Sequence, residues 1–253
     1  MITVNPIPVD TASLRACLLA VTRQLELPDS AVAVEGEFPS VGEVRVNLTG
    51  GRFHRGLRLA PGTETGGQPA FFVRAISVAA TPASFESLPF TLAGQASDAV
   101  FALAGSTLSF SRCSAGTLDL SVQHADLEAA LTELAREAAA QKGAELKSVK
   151  VELKSLGPRA LSLRAVAVAK AMFFTATLTI TGRVEISESL EVRLTDLACA
   201  GDGMIANMAA SAVRPRLAAM EGHSVSLRAF VPGLRGVTLA ARDGLHVHAE
   251  FGA

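Results

Sequence analysis

Hydrophobic and polar residues alternate over an unusually long stretch in the second half of the chain. From Phe174 to Ile186 the even positions are apolar or glycine, and the odd positions are Thr, Arg or Glu. This period of two predicts a β-strand with one apolar and one polar face. After a predicted turn at Glu188-Ser189 the apolar face resumes over residues 190–194. We expect this long ribbon, residues 172–197, to curl. The functional question is then which residues or ligand its apolar face covers.

The rest of the pattern predicts three helices among shorter strands. The first helix follows the potential cap Asp10, and the second starts at Asp126. The third is predicted to run from Gly203 to Met220, with a kink or interruption near Pro215. Strands are expected within residues 31–53, 71–92, 100–110, 117–122, 146–153, 160–169, 224–230 and 236–251. The fold class is therefore α+β.

The order of helix and strands occurs twice along the chain. The turn Glu86-Ser87-Leu88 matches Glu188-Ser189-Leu190, and the two helix starts also align. The matches occur in the same order, with gaps at loops such as 61–69. We therefore predict two related halves, residues 1–122 and 123–253, as two domains or one continuous domain. Each would be a helix packed on a long, strongly curved antiparallel sheet; chance similarity between two amphipathic units is the alternative.

Composition excludes several classes of protein. The chain has 23 basic and 24 acidic residues among 253, with no basic block, so a nucleic-acid partner is not expected. Hydrophobic residues make up 49% of the chain, yet no apolar run approaches the length of a membrane span. Twelve Phe with no Trp or Tyr exclude a permanent aromatic belt. The excess apolar content is that of a protein with more apolar surface than one core needs.

The N-terminal residues lack the basic and apolar regions of a secretory signal. We expect a cytoplasmic protein if the chain is complete and an envelope protein if a signal has been removed. The sequence leaves the compartment open.

Candidate chemistry is sparse. The segment Gly201-Asp202-Gly203 with Ala206 has the spacing of a dinucleotide fingerprint, but the preceding strand alternates as in an antiparallel sheet. His246 and His248 share a strand face and could both bind zinc, although outward polar positions are the commoner explanation. The motifs of the common hydrolases, metalloproteases and nucleotide-binding loops are missing from the sequence. We therefore predict a protein that is not an enzyme and needs neither a cofactor nor a metal.

The third predicted helix combines Arg214 and Arg216 with methionines. Basic, Met-rich helices touch anionic membrane surfaces or adapt to flexible ligands. A helix that packs on the core is the commoner explanation of the same pattern. Transient contact with a membrane surface is thus one expected partner interaction, and homo-oligomerisation is another.

Several regions of the chain resemble a known family. A glycine- and valine-rich strand region spans Val44 to Leu59, followed by the helix start at Ala125–Leu131 and the long alternating strands. Together with the closing segment Val231–Phe251, they resemble the LmeA-like phospholipid-binding proteins of bacteria. That family is similar to the tubular lipid-binding superfamily, in which long, curved antiparallel strands wrap a helix and enclose an apolar groove. The resemblance covers roughly residues 31–251 and implies binding of a phospholipid.

We therefore predict non-catalytic binding, with or without transfer, of a phospholipid, fatty acid or similar apolar ligand in a groove between helix and curved sheet. The alternatives are a structural or protein-interaction module with a fully packed core, and an enzyme whose site is assembled from distant His and carboxylate residues. The predicted apolar lining consists of Phe71, Phe72, Phe90, Phe174, Leu178, Ile180, Val184, Ile186, Met204 and Met208.

Overall fold

The computed structural model describes residues 2–3, 8–54, 68–104, 107–141, 144–171, 174–229 and 233–252. Within them the chain forms three α-helices and fifteen strands, which confirms the α+β class. The chain divides into two compact units. The first consists of residues 1–121, 227–237 and 247–253, and the second of residues 122–226 and 238–246. The sequence pattern did not predict that residues 227–237 and 247–253 belong to the first unit.

The first unit contains one helix and most of the larger sheet. Its elements are α1 (Thr11–Arg23), β1 (Ile2–Thr3), β2 (Val32–Glu37), β3 (Ser40–Asn47), β4 (Arg52–Phe53), β5 (Gln68–Phe85), β6 (Leu88–Ala104), β7 (Thr107–Arg112) and β8 (Ala115–Gln123). Strands β2, β3, β5, β6 and β8 are neighbours in that order. Strands β3 and β4 pair with β5 in parallel, unlike the predicted antiparallel sheet. Strands of an all-parallel sheet are usually buried on both faces, but β5 pairs with β3 in parallel and with β6 antiparallel in a mixed sheet, so the sequence pattern did not reveal the parallel pair.

The first unit has a densely packed interior. Helix α1 starts at a capping box in which the Asp10 carboxylate accepts a hydrogen bond from the backbone N–H of Ser13. The helix buries Leu14 in a core that includes Val41 and Val73. A series of aromatic rings extends through this core. Centroid distances are 5.5 Å for Phe38–Phe71, 4.9 Å for Phe71–Phe101, 5.8 Å for Phe101–Phe110 and 6.4 Å for Phe110–Phe251. The first unit therefore fills its apolar interior with its own side chains.

The second unit contains two helices and a separate sheet. Its elements are α2 (His124–Ala140), β9 (Glu145–Gly157), β10 (Ala160–Ala171), β11 (Phe174–Ile186), β12 (Glu191–Asp202), α3 (Met204–Met220) and β13 (Ser224–Ser226). The sheet order is β13-β12-β11-β10-β9, and every pair is antiparallel. Two further strands, β14 (Leu234–Ala241) and β15 (Gly244–Gly252), contribute residues to both units.

The long alternating stretch of the sequence is strand β11. The predicted turn at Glu188-Ser189 connects it to β12. Register places Val184 opposite Leu194, so the apolar face continues into β12 as predicted. Helix α3 runs from Met204 to Met220 with Pro215 inside it, so the helix is as long as predicted and, of the two predicted alternatives, the interruption does not occur. Proline removes only one helical hydrogen bond, and the packing of α3 on the sheet holds the helix through that position.

Candidate functional site

The apolar face of the two central strands of the second sheet, β10 and β11, is only half-buried. Its rows are Leu163 opposite Gly182, Ala165 opposite Ile180, and Ala167 opposite Leu178. Residues directly opposite each other on paired strands share a face, and side chains two apart on one strand do so too. The aliphatic side chains of these rows are all half-buried, so an apolar surface at the centre of the unit is incompletely covered.

Helix α2 covers one side of this face. Register places Val149 and Val151 of β9 beside Ala167 and Ala165, and both valines are buried. The Glu128 carboxylate of α2 accepts a hydrogen bond from the backbone N–H of Val151 at 3.1 Å. The N–H groups along an edge strand need such partners, since no further strand satisfies them. Helix α2 therefore lies along β9.

Helix α3 covers the other side. Gly201 of β12 is opposite Leu178, and a Cβ atom added to it would lie 2.2 Å from the carbonyl carbon of Ala206. The backbone of α3 therefore lies directly on Gly201, on the same face of the sheet as Leu178. The Arg214 guanidinium donates a hydrogen bond from Nε to the carbonyl oxygen of Cys199 at 2.9 Å, which attaches α3 further along β12. Ala206 and Ala210 are buried beneath the helix.

The two helices pack on different strands of the sheet. Helix α2 lies along β9 and α3 lies on β12, and β10 and β11 are between those two strands. We call the half-buried apolar surface over β10 and β11 the trough; its floor is formed by Ala165, Ala167, Leu178 and Ile180.

The trough is closed at the end near the β11–β12 turn. A Cβ atom on Gly182 would lie 2.6 Å from Cδ2 of Leu197, so the Leu197 side chain lies across the floor at this point. Beyond it, Leu161, Ile186 and Leu190 are buried. The apolar face is thus half-buried as far as Val184 and buried at Ile186 and Leu190.

The floor of the trough offers no reactive chemistry. Its side chains are aliphatic, and the Thr residues of β11 at positions 175–181 lie on the opposite face. Within the described residues, no three His, Cys, Asp or Glu side chains are grouped so that they could hold a metal ion. Such a surface would interact with a ligand through apolar contact area and shape.

Four of the ten predicted lining residues share this face, namely Leu178, Ile180, Val184 and Ile186. Leu178 and Ile180 form the floor, Val184 is half-buried beyond Leu197, and Ile186 is buried at the closed end. The side chains of Phe174 and Met204 lie outside the described part of the structure. Met208 is 70% exposed, on the side of α3 opposite the buried Ala206 and Ala210. It therefore points away from the sheet.

The three remaining residues belong to the first unit. Phe71 is buried and stacks on Phe101, whereas its neighbour Phe72 points to the other side of β5 and is half-buried. Phe90 packs against Phe53 at 5.6 Å. These three residues are therefore separate from the trough.

Sequence reasoning missed Ala165, Ala167 and Leu197. In β10 the larger apolar residues are Val166 and Val168, which lie on the opposite face of the strand from the floor. Residue size favours the valines as the lining, and only the pairing with β11 identifies the alanines. The alternation in β10 separates its residues into two faces, and this is visible in the sequence. It does not show which of the two faces the helices cover.

The dinucleotide-like segment has a structural role. Strand β12 is antiparallel to both of its neighbours, which confirms the sheet type that argued against nucleotide binding. Gly201 is required for the close approach of α3, and Gly203 adopts φ 89° immediately before the helix. Both glycines are explained by the strand-to-helix connection.

His246 and His248 contact different partners. His246 Nε2 lies 2.6 Å from the backbone oxygen of Arg242. His248 lies between two carboxylates, with Nδ1 2.6 Å from Oδ1 of Asp119 and Nε2 3.5 Å from Oε1 of Glu250. The hydrogen bond with Asp119 raises the pKa of His248, and Glu250 adds to the effect. This arrangement is a surface ion-pair cluster that joins β15 to β8.

We expect the stability contribution of His248 to depend on pH. Because its pKa is raised by folding, the contribution is complete below the unfolded-state value of about 6.5 and is lost as pH rises through the folded-state pKa. The site is partly exposed, so the change should stay below about 1 kcal/mol. Urea unfolding between pH 5.5 and 8.5 measures it, and His248→Gln should flatten the profile. An unchanged pH profile in that variant would contradict this assignment.

Comparison with protein-family models, with curated proteins and with solved structures gave no match. None of the described helices is both long and apolar enough to cross a bilayer.

Proposed function

We propose that the second unit binds an apolar chain of a lipid, non-covalently, in the trough. The observation that carries the proposal is a floor of half-buried aliphatic side chains between two helices that pack on different strands, α2 on β9 and α3 on β12. Burial of a hydrocarbon chain contributes about 0.8 kcal/mol per methylene, so a long chain needs no polar anchor to bind.

Helix α2 supports this assignment. Its apolar residues Leu127 and Leu131 are half-buried, and Leu134 is 53% exposed. A helix of a packed module normally buries its apolar stripe. The first unit, in contrast, packs its core with aromatic rings. Its cavity of about 360 Å³ has Gln95, Thr117 and Arg235 in its lining, so it is less suited to a hydrocarbon chain and we assign the ligand to the second unit.

The resemblance to lipid-binding proteins with curved sheets fits this proposal at the level of architecture. Each unit contains a helix followed by strand hairpins, and the turn at Glu86-Ser87 in the first unit corresponds to Glu188-Ser189 in the second. We propose on this basis that the two units are related halves. The parallel pairing of β3 with β5 is the main difference between them.

The proposal is tested with the Leu178→Glu variant. A carboxylate on the floor would be desolvated by a bound hydrocarbon chain, so we expect at least a tenfold loss of affinity for a fluorescent fatty acid. Thr179→Glu is the matched control, because the adjacent side chain lies on the opposite face of β11 and should leave affinity unchanged. Mass spectrometry of the protein purified from cells should also detect lipid. Equal affinity in both variants, or no lipid bound under any condition, would refute the proposal.

The alternative is a protein-interaction module. Met208 and Met220 of α3 are 70% and 49% exposed, and exposed methionines adapt to partner surfaces. A tight homo-oligomer that buries these residues would favour this function over lipid binding. Light scattering at increasing protein concentration, with Met208→Ser as the variant, distinguishes the two.

A further inference from the structure

We infer that the first unit carries a second binding site, for a small zwitterion of the class of a free α-amino acid. In this site Arg235 binds the carboxylate of the ligand and Glu250 binds its ammonium group. The site is the cavity of about 360 Å³, whose lining belongs entirely to the first unit. It is separate from the trough, so the inference does not rest on the proposed lipid binding.

The cavity lies over four strands that are neighbours in the larger sheet, β6, β8, β15 and β14. Small residues line its centre. Ser97 of β6 is directly opposite Ala115 of β8, and the next residue, Gly116, has no side chain. A volume of about 360 Å³ is near the lower end of the range of ligand pockets, about 300–1,000 Å³. The cavity therefore suits a small molecule.

The lining is rich in groups that can form hydrogen bonds. Its polar residues are Gln95, Ser97, Ser114, Thr117, Arg235 and Glu250. The Ser114 hydroxyl is already engaged, because it lies 3.0 Å from the carbonyl oxygen of Ser97 and 2.9 Å from Oδ2 of Asp98. Gln95 and Thr117 are directly opposite each other and share a face, so both can contact one ligand. A polar ligand compensates for the desolvation of such groups, whereas a hydrocarbon does not.

The two charged residues of the lining remain available to a ligand. Arg235 and Glu250 are exposed and lie on neighbouring strands, about 5 Å apart. Within the described residues, Arg235 has no hydrogen-bond or ion-pair partner. Oε1 of Glu250 is 3.5 Å from Nε2 of His248, which is itself held more closely by Asp119. A guanidinium without a partner is a ready site for a carboxylate, and the Glu250 carboxylate is a site for a cation.

This pair of opposite charges favours a ligand that carries both. The carboxylate and the ammonium group of an α-amino acid are attached to one carbon, so a single small molecule can lie between side chains of adjacent strands. A neutral sugar is the rival ligand, since its hydroxyl groups would also satisfy the polar lining. It would use neither charge fully. The ring of Phe251 is already placed against Gly116 and edge-on to Phe110, which leaves little aromatic surface for a sugar.

The test begins with the full chain and each of the standard protein amino acids, screened by ligand-detected NMR. The strongest binder is then titrated by calorimetry beside two analogues, one without the amino group and one without the carboxylate. Each analogue should bind at least about tenfold more weakly, because it loses a hydrogen bond between charged groups.

Two variants assign the two ends of the ligand. Arg235→Gln should lower the affinity for the amino acid about tenfold and leave the affinity for the analogue without a carboxylate unchanged. Glu250→Gln should also lower the affinity for the amino acid, but here the analogue without an amino group should bind as before. Both side chains are exposed, so both variants should fold, which circular dichroism verifies.

Arg112→Gln is the matched control, because Arg112 is an exposed arginine of β7 in the same sheet and does not line the cavity. It should bind the amino acid as wild type does. The inference is wrong if no amino acid binds, or if wild type, Arg235→Gln and Glu250→Gln bind with equal affinity. Binding of glucose in place of the amino acids would overturn it in favour of a sugar site. None of these outcomes changes the test of lipid binding with Leu178→Glu, so the two proposals fail separately.

Discussion

Replacing Phe71 with alanine is expected to lower the free energy of unfolding by about 3–5 kcal/mol. Phe71 is 5% exposed and occupies the middle of the aromatic series of the first unit, between Phe38 and Phe101. Truncation would remove both ring contacts and leave a cavity that the strands cannot close, because β3, β5 and β6 are held in register by their hydrogen bonds.

The neighbouring residue supplies the control. Phe72→Ala is the same chemical change one position along β5, but its side chain is half-buried on the other side of the strand. We expect Phe72→Ala to lower the free energy of unfolding by less than half as much as Phe71→Ala. Urea or thermal unfolding followed by circular dichroism measures both variants. Equal losses would show that the two faces of β5 are equally packed, contrary to the structure.

Gly201→Ala is the second change with a large expected effect. The added Cβ would lie 2.2 Å from the carbonyl carbon and oxygen of Ala206 and 2.5 Å from the backbone nitrogen of Asn207. These are backbone atoms of α3, so no side-chain rotation relieves the clash and the helix has to move away from β12. Overpacking of this kind costs about 1–3 kcal/mol or more.

Gly157→Ala is the matched control for this change. A Cβ at Gly157 meets no atom within 4 Å, so we expect a change of less than about 0.5 kcal/mol. Chemical unfolding gives both values. A fully stable Gly201→Ala protein would mean that α3 is not seated on the sheet at this glycine.

The elements of the second unit were largely predictable from local pattern. The alternation from Phe174 to Ile186 predicts β11 because a strand presents successive side chains to opposite faces, whatever its partners are. The turn at Glu188-Ser189 and the start of α3 after Gly203 follow from the breaks in that periodicity. The alternation of the strand before Gly201 predicts an antiparallel sheet, and the pairing of β12 confirms this.

The membership of the candidate site was less predictable. Met208 has a large, flexible apolar side chain, as expected of a residue that lines an apolar site. Helix α3 nevertheless buries the small residues Ala206 and Ala210 and leaves Met208 exposed. Small side chains allow the helix backbone to approach Gly201, so size at the contact matters more than hydrophobicity. Phe71 and Phe72 look equivalent in sequence, but alternation separates them to opposite sides of β5.

The sequence by itself determined the periodicities, and with them the helices, most strands and the apolar face of β11, because these depend on residues close together in the chain. Only the tertiary structure decided which strands lie beside β11, where α2 and α3 rest, and where Leu197 crosses Gly182. These features depend on cross-strand register and on the spacing of helices over a sheet, which residues distant in sequence set together. The difference between a packed core and a trough is therefore a property of the assembled second unit.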